Sequence, residues 1–69
     1  MNHREYLKKV GLEFKVARVR QGLKLIHLTE KTGLGTNVIS NLENGHRDAH
    51  ILTYKRIADA LGMDMKDFL

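Results

Sequence analysis

The sequence predicts an all-α domain organised around a helix-turn-helix at about residues 24–44. Three observations carry this expectation. No alternating β-branched run bounded by turns occurs, so strands are not expected. Two short helical stripes flank Gly33-Leu34-Gly35: Leu25, Leu28 and Thr32 before it, and Val38, Ile39 and Leu42 after it. Glycines at 22, 45 and 62 stand where helices should stop. Gly33 suits the left-handed residue that closes a helix, because it has no Cβ to clash there. Leu34 is placed to plug the angle between the two helices. Such a pair can be a plain αα-corner that only builds a core. It can also be the unit whose second helix enters the DNA major groove.

Taken in order, Met1 to Lys9 has little apolar content beyond Tyr6 and Leu7, and its start is expected to fray. Residues 1–9 are read as an N-terminal arm or the start of the first helix, and 10–69 as the helix-turn-helix domain. The first helix is expected from about Tyr6 or Val10 to Gln21. Leu7, Val10, Phe14 and Ala17 form its core stripe, and Leu12, Val16 and Val19 a second stripe on nearly the opposite side. That second stripe is either lightly exposed, as single apolar residues often are, or a contact face for a partner, most simply a second copy of the chain.

Leu23 follows the Gly22 turn and is placed to cap the core. A second helix is expected over Lys24–Lys31, with Lys24 a poor N-cap because it lacks an acceptor oxygen. A third runs over Thr36–Asn44, followed by a loop through Ala49. The fourth covers Ala49 or Ile51 to Leu61, with Ile51, Tyr54, Ile57, Ala58 and Leu61 on one face. Asp64 is then expected to cap a last turn with Asp67 in the reciprocal position, and Met65, Phe68 and Leu69 to fold that turn back on the core. Met63 looks like gap-filling.

Composition narrows the function. Sixty-nine residues make one small domain. There is no cysteine, which excludes disulfides and thiolate metal sites. Twelve Lys+Arg against eight Asp+Glu give a net charge of +4 and a pI near 9.7, which favours a polyanionic partner. The basic start leads into an amphipathic pattern and no apolar run approaches a membrane span, so a cytoplasmic location with no membrane contact is expected. His46 and His50 have a two-ligand spacing but straddle a loop-to-helix junction, and no Cys or well-placed carboxylate completes a metal site with them. No nucleophile-base order, phosphate loop or carboxylate pair points to catalysis, and no cofactor is expected.

The run Ile39-Ser40-Asn41-Leu42-Glu43-Asn44-Gly45-His46-Arg47 resembles the I-S-x-[IL]-E-N-G-x-R run of the Cro/CI helix-turn-helix family of phage and bacterial repressors, also called the XRE family. Arg18, Leu28, Gly33 and Ile57-Ala58-Asp59-Ala60-Leu61-Gly62, followed by Met63, match as well, so the resemblance covers about Val10 to Leu69. It implies a compact five-helix, lambda-repressor-like domain and a buried ion pair between Arg18 and Glu43. It further implies a sequence-specific, repressor-like regulator of transcription bound to double-stranded DNA, and the small surface that one module buries on DNA argues for a homodimer on an inverted repeat.

On the same resemblance Thr36, Asn37, Ser40 and Asn41 face base edges, with Val38 reaching in from the side. Lys24, Asn44, His46 and Arg47 would contact phosphates. Asn pairs with adenine N6 and N7, and Thr and Val methyls pack on the thymine methyl. With no Arg or Lys between Thr36 and Asn44, an A·T-leaning half-site is expected. The chain departs from the family where Lys24 and Leu25 replace the usual Ser/Thr and Gln. Gly35 also replaces a Ser/Thr cap, Thr29 a small residue and Ile26 a polar one. The alternative is a protein-interaction module, an antitoxin or co-regulator, that uses Leu12, Val16 and Val19 or Leu25 and Ile26 to bind a protein.

Overall fold

The computed structural model describes residues 2–67. Its α-helices are α1 (His3–Arg20), α2 (Leu25–Thr32), α3 (Thr36–Glu43) and α4 (Ile51–Ala60), and no strand occurs among the described residues. A single 3-10 turn over Met65–Asp67 stands where a fifth helix was expected. The expected cap is present, because the Asp64 carboxylate accepts from the Lys66 N–H at 3.0 Å, two residues on, but the turn it opens runs for only three residues among those described. Met63 and Met65 pack half-buried against the core, whereas the Asp67 side chain, Phe68 and Leu69 lie outside what is described.

Helix α1 starts at His3, ahead of Tyr6 or Val10, because Asn2 caps it. The Asn2 Oδ1 accepts from the Glu5 N–H at 2.8 Å, and the Glu5 carboxylate sits in the first turn where the helix dipole favours it. One face of α1 then supplies Val10 and Phe14 to the core. Leu28 comes from α2, Ile39 and Leu42 from α3, Ile57 and Ala58 from α4, and Leu61 from just past its end. Helix α3 lies between α1 and α2, and α2 also packs on α4. The Phe14 ring stacks on Tyr54 with centroids 6.1 Å apart.

Two apolar sets stay outside this core. Leu12, Val16 and Val19 on α1 are 57%, 37% and 58% exposed. Ile51 was expected on the core face of α4, but it occupies the first helical position, and with its neighbour Leu52 it remains exposed. Only the later turns of α4, from Tyr54 onward, reach the core.

Candidate nucleic-acid interface

The turn between α2 and α3 is held by more than its glycine. Gly33 adopts φ 75°, and its N–H donates to Thr29 O at 2.8 Å. The buried Thr32 hydroxyl donates to Leu28 O at 2.7 Å and accepts from the Leu34 N–H at 3.2 Å, so it turns the chain while ending the helix. Thr29 and Thr36 hydroxyls meet at 3.3 Å across the corner. Leu34 packs half-buried against the core, as does Leu25, so Leu25 offers little of the apolar surface expected of it. Ile26 beside it is 52% exposed.

Ile39 and Leu42 anchor α3 from below, which decides what its outer side presents. Thr36 and Asn37 are exposed, Ser40 and Asn41 are half-exposed, and Val38 is half-buried against the core at the edge of that surface. The outer face therefore carries hydroxyls and amides and no charge. Gly35 gives no side-chain cap at the start of α3. At the far end the His46 N–H donates to Asn41 O at 2.9 Å and the Gly45 N–H to Leu42 O at 3.2 Å, which closes the helix through the left-handed Gly45. Asn44, His46 and Arg47 all lie exposed there.

Lys24 lies exposed at the opposite corner, before α2. Its ammonium has no lone pair to accept a bond, so the start of α2 is closed from one side only: the Lys24 N–H donates to His27 Nδ1 at 2.9 Å. This places His27 in the role Glu or Gln fills in a capping box. The signal was present in the sequence as the spacing Lys24-x-x-His27, but it pointed to nothing because neither residue is a usual capper.

The Arg18 guanidinium fixes α3 to the rest of the fold. Its Nε donates to Glu43 Oε2 at 2.8 Å, one Nη to Glu43 Oε1 at 3.2 Å and the other to Leu23 O at 2.9 Å. The two side chains are 12% and 5% exposed. This is a buried, two-pronged pair with a third bond to the chain entering α2, so it is architecture and not a DNA-facing group.

The segment after α3 is tied down by Asp48. Its carboxylate accepts from the Ala49 N–H at 2.8 Å and the Tyr54 O–H at 3.3 Å, and lies 3.1 Å from His3 Nε2. The Ala49 N–H, aided by Tyr54 and His3, holds the carboxyl below its ordinary range. Burial, and then the Asp48 charge, push the Tyr54 phenol up to about 12 from an ordinary 10. Because the folded phenol keeps its proton longer than the unfolded one, its contribution to stability is complete below pH 10 and drains away as pH rises toward 12. Tyr54→Phe should flatten this alkaline limb in urea titrations run across that range. A limb as steep as that of the wild type would assign it to other groups.

Among the described residues no helix is long and apolar enough to cross a membrane. A short helix held across a glycine turn, with an uncharged polar outer face, Lys24 before the paired helix and Arg47 after it, has the form of a DNA-binding helix-turn-helix. The chain belongs to the helix-turn-helix family HTH_3, of the XRE type, whose sequence model matches residues 14–68. No curated protein matches it at a significant level.

Proposed function

We propose that the chain is a sequence-specific, repressor-like transcriptional regulator that lays α3 in the major groove as a homodimer on an inverted repeat. The observation that carries this reading is the outer face of α3. Thr36, Asn37, Ser40 and Asn41 stand on the side away from Ile39 and Leu42, on a helix fixed at both ends. Amides and hydroxyls without cations favour A·T over G·C base edges. Lys24 before α2, and Asn44, His46 and Arg47 after α3, are exposed and would grip phosphates beside the groove. A single module of this kind buries only about 600–1,000 Å² of its own surface on DNA, so useful affinity argues for two copies on half-sites about one helical turn apart. The role requires no catalysis and no cofactor, and it is exercised in the cytoplasm.

A second reading has one observation in its favour. The Leu12, Val16 and Val19 stripe is exposed and contiguous along α1, which suits a protein contact. Binding-site selection from random duplexes at two salt concentrations separates the two. Wild type should enrich an A·T-leaning palindrome, and the Asn37→Ala/Asn41→Ala double variant should lose that preference while keeping weak, salt-sensitive binding. Absence of any enrichment by folded wild type would sink the DNA-reading proposal and favour the protein contact.

A further inference from the structure

A cleft of about 500 Å³ opens between the first two turns of α1 and the Gly45–His46 corner, remote in sequence but adjacent in space. Its walls carry the side chains of Arg4, Lys8 and His46, together with His3 and Asp48. Gly45 makes the approach feasible: a Cβ there would stand 2.7 Å from the Lys8 Cα, so helix and corner touch backbone to backbone. The corner is in turn continuous with the reading helix, because the His46 N–H is bonded to Asn41 O at 2.9 Å. Arg4 and Lys8 therefore flank the same end of α3 that presents Asn41.

The charge in this cleft is unbalanced in a specific way. Asp48 is its only acid among the described residues, and that carboxylate already accepts from Ala49 and Tyr54 and lies against His3. The side chains of Arg4, Lys8 and His46 make no hydrogen bond or ion pair among the described residues. Two cations and an imidazole line a concave surface beside a DNA-reading helix, and the Asp48 carboxylate in the same wall is already bonded to Ala49, Tyr54 and His3. We propose that this cleft holds a backbone phosphate of the DNA bound by α3, with Arg4 and Lys8 as its principal ligands and His46 as a third donor. The proposal rests on the DNA-binding reading and extends the interface onto α1, beyond the helix-turn-helix.

The salt dependence of binding to the duplex recovered by selection tests it. Each phosphate contact contributes roughly 0.9 to the slope of log K against log salt. Arg4→Gln/Lys8→Gln should make the slope shallower by about one, as the loss of one phosphate contact requires, and leave the selected sequence unchanged. Arg4→Gln alone, at an exposed position outside the core, should give about half that change and guards against misfolding of the double variant. Lys15→Gln/Arg20→Gln removes the same charge from exposed parts of α1 outside the cleft, and should leave the slope as in the wild type. If the cleft variants and this control behave alike, the phosphate site is overturned while DNA binding stands. If wild type binds no duplex at any salt concentration, both the site and the reading beneath it fall.

Discussion

Arg18→Ala is expected to leave the protein largely unfolded at room temperature. The substitution strands a Glu43 carboxylate that is 5% exposed and frees the Leu23 carbonyl, both of which Arg18 now satisfies. Breaking a buried pair from one side costs about 3–5 kcal/mol, because the remaining charge stays buried without compensation. A single core of this size rarely supplies more than about 3–5 kcal/mol in all, so the loss is comparable to the whole. Glu43→Ala should be milder, since the stranded guanidinium is 12% exposed and keeps its bond to Leu23. The Arg18→Met/Glu43→Leu double substitution removes both charges together and should recover most of the stability. Urea denaturation followed by circular dichroism would rank the three. A loss under about 1 kcal/mol for Arg18→Ala would mean that water reaches the pair and it is worth no more than a surface one.

The core was legible in the sequence because apolar periodicity needs only local spacing. Val10, Phe14, Leu28, Ile39, Leu42, Ile57 and Leu61 all sit in stripes visible by eye, and all are buried. Gly33 was legible for the same reason, a conformational need stated by one residue. What escaped depends on single polar contacts or on tertiary approach. The start of α1 is set by one Asn2 side chain and not by any apolar signal. Ile51 fits the periodicity of α4, but periodicity says nothing of where a helix outruns its core. The outer face of α3 was legible through the family resemblance that the run from Ile39 to Arg47 carries. The Arg4, Lys8 and His46 cleft could not, because nothing local predicts that the start of α1 meets the corner at Gly45.

Gly11 shows the same limit most sharply, and Gly11→Ala turns it into a measurement. In sequence it is a glycine inside a helix, a defect that alanine should repair by about 1 kcal/mol. In the structure Gly11 is the point where α1 crosses α3. A Cβ added there would fall 2.6 Å from the Glu43 carbonyl oxygen, and closer still to that of Leu42. These are backbone atoms, so no rotamer change can relieve the overlap, and α3 must move away from α1. That motion also pulls at the Arg18–Glu43 pair, which spans the same two helices. Overpacking typically costs about 1–3 kcal/mol, and the rigidity of both walls places this case at the upper end or beyond it. After the propensity gain, a net loss of about 2 kcal/mol should lower Tm by roughly 8–16 °C in a domain this small. Glu13→Ala, at an exposed position on the same helix, should stay within about 0.5 kcal/mol of wild type and calibrates the helix itself. A Gly11→Ala protein more stable than wild type would show that local propensity outweighs the crossing, and that α1 and α3 can separate without loss. A destabilised variant that still folds should bind DNA less tightly at equal folded concentration, because the contact that fails is the one that aims the reading helix.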